Sequence, residues 1–161
     1  MGLVIFSNTV KTYIPPQKGK TQLKKILDVA YSVEPDRFES DHEALCSFLS
    51  SKQRRRCLLS VFTYIDSEQE ATETARAYEF LSKNNMLVLS SLQSPGLSAL
   101  SAAVVKSAED VYVRAAAIYR LDSQRRAATA ISGRGIYGVF AVPADLLTQV
   151  INKYVMIKKL L

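Results

Sequence analysis

Three short apolar segments, separated by helical patterns, constrain the fold of this chain more than any other feature of its sequence. Residues 57–62, 86–92 and 136–142 are almost wholly apolar over the length of a strand, which is typical of strands buried on both faces of a sheet. Between them, apolar residues recur at the spacing of helices that pack on a sheet. This alternation predicts an α/β three-layer sandwich with a mainly parallel sheet, helices on both faces and right-handed crossovers.

An antiparallel hairpin is expected at the start of the chain, on an edge of that sheet. Residues 2–6 and 10–14 are rich in strand-forming types, and Pro15 with Pro16 ends the second strand. Helical spacing, capping boxes and an initial proline mark the helices. They are predicted at residues 23–31, after Ser40, after Ser67, at about 109–131, and from Pro143.

Length and composition predict a single domain over residues 1–161. Apolar residue types make up 48% of the chain and charged types 22%, close to globular averages, which argues against disorder. No apolar run reaches the roughly 18 residues of a membrane span, and the first residues lack the basic region of a signal peptide. We therefore expect a cytoplasmic chain that makes no membrane contact of its own.

A formal net charge of +6 suggests nucleic-acid binding as one function. Arginine clusters at residues 54–56 and 125–126 would neutralise phosphates and so drive non-specific binding. However, no aromatic residues are interleaved with these clusters to stack on bases. A basic nucleic-acid-binding module is therefore an alternative function and not the main one.

The sequence carries no assembled catalytic or metal-binding motif. Cys46 and Cys57 stand in predicted helix and strand segments and are interpreted as buried thiols. His42, four residues before Cys46, is the single histidine, and one histidine with two separated cysteines cannot hold zinc. Residues 17–21 imitate the tail of a phosphate-binding loop, but Ile14 stands where that loop needs glycine. We expect no enzyme activity and no cofactor.

Several segments together resemble a known protein family. They are GLVIFSN at 2–8, YIPP at 13–16, ESD at 39–41, RRRCLLSVFT at 54–63, AAA at 115–117 with Arg125, RGI at 134–136 and YVMIK at 154–158. Their order and spacing resemble the prokaryotic family called domain of unknown function fifty-eight, whose domains are similar to von Willebrand factor type A domains. The resemblance covers nearly the whole chain.

The resemblance implies a non-enzymatic protein–protein interaction domain. Its partner would be a MoxR-type AAA+ ATPase or a complex that such ATPases help to assemble. A divalent-cation-dependent ligand-binding domain is a further alternative. Open α/β sheets bind ligands at the carboxyl-end edge of the sheet, so we expect seven residues to cluster there. They are Ser7, Asn8, Ser40, Asp41, Thr63, Tyr64 and Asp66.

Within that set, Ser7, Asn8 and Tyr64 are the candidate ligand rim, and the other four would be the remnant of a metal site. Domains of this type hold their cation with an Asp-x-Ser-x-Ser strand end, which occurs nowhere in this sequence. Tyr64 also stands where the family has an aspartate. We therefore expect no tight Mg²⁺ or Mn²⁺ site at the remnant residues Ser40, Asp41, Thr63 and Asp66.

The chain opens where the second strand of the family would be. The absent first strand would leave an open slot between residues 2–6 and 57–62, a liability for pairing with another chain. Either these two strands pair directly, or a segment from a partner chain, including a second copy in a homo-oligomer, fills the slot.

Overall fold

The elements expected from the apolar pattern form along the chain, together with one further helix. In the computed structural model the described residues are 1–35, 37–53, 55–132 and 135–159. The elements are β1 (Leu3–Phe6), β2 (Val10–Ile14), α1 (Lys20–Tyr31), α2 (His42–Lys52), β3 (Leu58–Thr63), α3 (Glu68–Asn84), β4 (Met86–Leu92), α4 (Gly96–Ala102), α5 (Ala108–Ser132), β5 (Tyr137–Ala141) and α6 (Pro143–Lys158). They fall into two compact units, Met1–Arg54 and Arg55–Leu161. The single domain over residues 1–161 stays a prediction.

The first unit is built on the predicted hairpin. β1 and β2 pair antiparallel, from Leu3 opposite Ile14 to Phe6 opposite Val10, and form a two-stranded sheet of their own. The sequence had suggested that the hairpin forms an edge of the parallel sheet. Instead, the hairpin is a separate two-stranded sheet. Gln22 of α1 is buried, and its Nε2 donates to the carbonyl oxygens of Met1 and Pro15 at 3.0 and 2.9 Å. One amide thus ties α1 to both ends of the hairpin.

The N-cap of α2 lies one residue later than predicted. The N-cap is Asp41, whose carboxylate accepts from the Ala44 N–H at 2.8 Å, and not Ser40. Asp41 takes this role because its own N–H donates to the carbonyl of Ser7 at 2.8 Å. The hairpin turn therefore sets where the helix begins, and this contact is invisible in the local sequence.

The second unit contains the parallel sheet, in the order β3-β4-β5. Leu58 lies opposite Met86, and Val88 lies opposite Tyr137. A Cβ added at Gly138 would meet Ile131 of α5, whereas Val139 packs in a core cluster with Ile157 of α6. Neighbouring strand residues point to opposite faces, so α5 and α6 cover opposite faces of this sheet. The mainly parallel sheet and the α/β class are confirmed.

The helices of this unit differ from expectation at two places. The apolar spacing after Pro143 predicts that α6 buries five residues, which are Leu146, Leu147, Val150, Ile151 and Tyr154. Leu146 and Val150 do pack on the core, but Leu147 is 69% exposed, and Ile151 and Tyr154 are also exposed. The apolar arc of α6 is wider than the strip of sheet that it covers. The Ser94-Pro95-Gly96 sequence predicts a turn after β4. The helix α4, which begins at Gly96, was not expected from the sequence.

Helix α3 matches the prediction closely. The apolar spacing after Ser67 predicts an inward face formed by Ala71, Ala75, Tyr78 and Leu81. All four are buried. Ser67 Oγ accepts from the Glu70 N–H at 3.1 Å, which is one half of the predicted capping box. The Glu70 carboxylate reaches the N–H of Asp66 instead of that of Ser67.

None of the helices in the described ranges has both the length and the apolar character needed to cross a bilayer. Arg134, part of one family-like segment, lies outside the described residues.

Candidate functional site

The carboxyl-end edge of the parallel sheet carries the most organised polar cluster of the second unit. β3 ends at Thr63, and the loop to α3 passes through Tyr64, Ile65 and Asp66. Ile65 is fully buried, and its N–H donates to Ser91 Oγ on β4 at 2.9 Å. This anchor holds Tyr64 and Asp66, the neighbours of Ile65 on either side, at the edge where open α/β sheets bind ligands.

Asp66 organises the cluster, which consists of Tyr64, Asp66 and Arg120 and is called the rim cluster below. The Asp66 carboxylate forms an ion pair with the Arg120 guanidinium of α5. Arg120 Nη2 also donates to the Tyr64 hydroxyl at 3.4 Å. The main chain is held as well, because Ser123 Oγ donates to the carbonyl of Asp66 at 3.1 Å. Two residues of the loop after β3 and one residue of α5, distant from them in sequence, therefore form one fixed surface.

The Tyr64 hydroxyl is neutral at pH 7, as in an ordinary tyrosine, and the rim cluster shifts its pKa further upward. Partial burial raises the pKa of the Tyr64 hydroxyl, and the nearby Asp66 carboxylate adds to that shift, while Arg120 opposes it. The Tyr64 side chain is still 53% exposed. The phenol is therefore available to a ligand as a neutral hydrogen-bonding group with an apolar ring.

The rim cluster does not fit a divalent cation. It contains one carboxylate, and one oxygen of that carboxylate already faces the guanidinium of Arg120. The other oxygen, Asp66 Oδ1, is buried and has no hydrogen-bond partner. Mg²⁺ and Mn²⁺ bind where several oxygen ligands converge without a competing positive charge. Within the described residues, no group of three or more His, Cys, Asp or Glu side chains could hold a metal ion.

The remaining predicted site residues lie in the first unit, where Ser7, Asn8 and Asp41 come together. Ser7 is buried, its Oγ donates to Asn8 Oδ1 at 3.1 Å, and its carbonyl accepts from the Asp41 N–H. The Asp41 carboxylate caps α2. These polar groups therefore stabilise the turn and the helix start. The clustering of all seven predicted residues at one edge stays a prediction, since Thr63, Tyr64 and Asp66 belong to the other unit.

A cavity of about 500 Å³ lies beside this turn in the first unit. Ser7 and Ser40 line it together with Lys11, and Phe6 and Phe38 supply an apolar wall. The Lys11 ammonium stands 5.9 Å from the centre of the Phe38 ring. Sequence reasoning placed Ser7 and Ser40 near a ligand surface but gave no sign of this cavity.

Neither cysteine has the environment of a nucleophile. Burial raises the pKa of the Cys46 thiol to about 12, with Glu43 adding to the shift. Burial also raises the pKa of Cys57 and lowers that of His42. A nucleophilic cysteine needs a lowered pKa and a basic partner, so both thiols stay protonated at neutral pH.

The arginine clusters are partly engaged in ion pairs and other contacts. Arg126 forms ion pairs with Glu68, at 3.3 Å, and with Asp122. Arg56 donates to the sulfur of Met86 at 3.7 Å. Arg54 lies outside the described residues. Arginines that are already paired with carboxylates offer less charge to a phosphate backbone.

Sequence reasoning missed Arg120, the α5 member of the rim cluster, and Ser123, which holds the main chain of Asp66. Each stands more than 50 positions from its partner in the loop after β3. The only local signal was an arginine on a helix face, which is ordinarily a solvated side chain. Only the packing of α5 on the sheet brings these residues to Asp66.

A family comparison agrees with the segments noted between residues 2 and 63, whereas those at 115–117, Arg125, 134–136 and 154–158 lie beyond the matched range and stay a prediction. The family model described as Protein of unknown function DUF58 matches residues 1–110. The chain belongs to this family. The DUF58 match includes Tyr64 and Asp66 and ends before Arg120. No curated protein and no solved structure matches the chain significantly.

Proposed function

We propose that this DUF58 chain is a non-enzymatic, von Willebrand factor type A-like domain that binds a protein partner through its rim cluster. One observation carries the proposal: Tyr64 and Arg120 are presented together at the carboxyl-end edge of the sheet and held there by Asp66. Tyrosine and arginine are among the residues most enriched in the hot spots of protein interfaces. Their fixed geometry lowers the entropy lost on binding.

The chemistry of the rim cluster supports binding over catalysis. The charge of Asp66 is neutralised by Arg120, and the raised pKa of Tyr64 makes its phenol a poor base or nucleophile near pH 7. A general acid or base works best when its pKa lies near the operating pH. An exposed ring and a half-exposed guanidinium are instead suited to contact with another protein surface.

The partner proposed is a MoxR-type AAA+ ATPase, or a complex that such ATPases help to assemble, as the family resemblance implies. The interaction would take place in the cytoplasm, where ATP is available to the partner. Rim residues contribute through the aromatic ring of Tyr64 and the charge of Arg120. The partner surface should therefore supply a carboxylate opposite Arg120 and an apolar pocket for the ring.

Titration calorimetry with a MoxR-type ATPase from the same organism tests the proposal. Tyr64→Ala and Arg120→Ala should each weaken binding about tenfold or more, because truncating a hot-spot residue costs about 2 kcal/mol. Tyr112→Ala is the matched control, since Tyr112 is a 77% exposed tyrosine of α5 about two helical turns from Arg120. Its affinity should equal that of the unmodified chain.

Two outcomes would contradict the proposal. The first is no binding by the unmodified chain, and the second is equal weakening by the control and the rim variants. Binding to random-sequence DNA that falls steeply with salt concentration would favour the nucleic-acid alternative instead.

A further inference from the structure

The cavity of the first unit, called the hairpin cavity below, is built by that unit alone. All the described residues that line it lie between Ile5 and Ser40, within Met1–Arg54. Its volume of about 500 Å³ falls within the roughly 300–1,000 Å³ of ligand pockets. Such pockets combine apolar walls with a few placed polar groups, and the hairpin cavity has both.

The apolar part of the lining contains two aromatic rings. Ile5, Phe6 and Val29 are half-buried, and Phe38 stands beside them in the lining. The Phe6 ring is held in place by an edge contact with the His42 ring, whose centre lies 5.4 Å away. Aromatic rings favour edge-to-face and offset contacts with further rings. An aromatic group in the cavity would therefore complete the burial of this wall.

A β-bulge directs Lys11 into the hairpin cavity. Ile5 lies opposite Thr12, and the next residue, Phe6, lies opposite Val10. Lys11 is therefore the extra residue of the bulge. In a regular strand Lys11 and Thr12 would point to opposite faces, yet both line the cavity. Bulges are concentrated beside functional sites, where they redirect a side chain.

Glu34 brings a negative charge to the same cavity from the segment after α1. Pro35 follows it in the sequence, and a proline restricts the residue before it to extended conformations. Ser32 Oγ donates to the carbonyl of Val29 at 2.8 Å, which fixes the direction in which the chain leaves the helix. The carboxylate and the ammonium group of Lys11 thus reach the cavity from two separate elements.

We propose that the hairpin cavity binds a free α-amino acid with an aromatic side chain. The α-carboxylate would lie at Lys11, the α-ammonium group at Glu34, and the ring against Phe6 and Phe38. Such a ligand matches both charges of the lining, whereas a ligand with one charge would leave the other wall desolvated without a partner. This site is separate from the rim cluster and needs no metal ion.

The placement of Lys11 next to an aromatic ring suits the carbon skeleton of an α-amino acid. The Lys11 ammonium stands 5.9 Å from the centre of the Phe38 ring. In an α-amino acid the carboxylate and the side chain leave the same carbon, so the two groups need neighbouring walls of this kind. The hydroxyls of Ser7 and Ser40 also line the cavity, and hydroxyls can donate to a carboxylate.

Titration of the ¹⁵N-labelled full chain with L-phenylalanine, followed by nuclear magnetic resonance, tests the proposal. Saturable shifts should appear at the amides of Phe6, Val29 and Phe38, with a dissociation constant of about 1 mM or below. Two comparison ligands each lack one charge: 2-phenylethylamine has no carboxylate, and 3-phenylpropionate has no ammonium group. Each should bind at least tenfold more weakly, because each loses a charge-assisted hydrogen bond.

Two variants assign the charged groups. Lys11→Met should weaken binding of L-phenylalanine about tenfold and leave binding of 2-phenylethylamine unchanged, since that amine has no carboxylate to lose a contact. Glu34→Gln should weaken L-phenylalanine by a similar factor and leave 3-phenylpropionate unchanged. The matched controls are Lys24→Met and Glu43→Gln, which alter exposed residues of the same unit outside the lining. Both controls should bind L-phenylalanine like the unmodified chain.

Four outcomes would overturn the proposal. They are the absence of saturable shifts at the lining residues, binding of 3-phenylpropionate or 2-phenylethylamine as tight as that of L-phenylalanine, equal weakening by the control and the lining variants, and a loss in Lys11→Met that is the same for L-phenylalanine and 2-phenylethylamine. The last of these would mean that Lys11 shapes the hairpin and does not contact the carboxylate. The dispersion of the amide spectrum shows whether each variant is folded.

Discussion

Asp66 is the residue on which the geometry of the rim cluster depends. Its carboxylate is 23% exposed and its partner guanidinium is 46% exposed, so the pair lies between a fully screened surface ion pair and a buried one. Arg120→Met would leave that carboxylate without a positive partner, and its Oδ1 already lacks a hydrogen bond. We expect the free energy of unfolding to fall by about 1–2 kcal/mol, measured by urea denaturation near pH 7.

The control for this prediction is Arg125→Met, on the same helix. Arg125 is exposed, and surface substitutions usually change stability by no more than about 0.5 kcal/mol. Adding Asp66→Asn to Arg120→Met should restore part of the loss, because the unpaired charge is then removed. Equal costs for the two arginine substitutions would show that the ion pair with Asp66 contributes nothing to folding.

At the scale of single elements, the start of α2 separates local sequence from tertiary context. Both Ser40 and Asp41 are good N-cap residues, and a helix signal alone does not choose between them. Asp41→Ala should lower the free energy of unfolding by about 1 kcal/mol, because the Ala44 N–H loses its partner. Ser40→Ala should cost less than about half of that. Urea denaturation of the two variants measures the difference. Equal losses of the free energy of unfolding would contradict the assignment of Asp41 as the N-cap.

Helices α3 and α6 show which features of a helix its apolar spacing predicts. The apolar spacing predicted the buried side of α3, where Ala71 and Tyr78 are fully enclosed. It failed for Leu147 on α6, because periodicity gives the direction of an apolar face and not the width of the surface that covers it. Tyr64 and Asp66 could be singled out because they follow a recognisable strand. Arg120 could not, since its contact with Asp66 depends on how α5 packs.

For the whole molecule, membership of the DUF58 family and the local chemistry give different information. The family match spans the hairpin unit and the loop that carries Tyr64 and Asp66. In the structure, the Arg120 guanidinium lies beside the Asp66 carboxylate of that loop. The positive charge that neutralises the rim thus comes from the protein's own α5, beyond the matched residues.

This arrangement predicts the response of the folded chain to metal ions. A cation that binds only the folded state stabilises it by RT ln(1 + [L]/Kd), about 1.4 kcal/mol for ~10 mM Mg²⁺ and a dissociation constant of ~1 mM. For a chain of this size, that would raise the melting temperature by roughly 3–5 °C. Because Arg120 already neutralises Asp66, we expect a change below about 1 °C with Mg²⁺, Mn²⁺ or EDTA, relative to NaCl of equal ionic strength. A rise of several degrees, removed by EDTA, would mean that a cation displaces Arg120 from the carboxylate, and the rim would then bind its ligands through a metal.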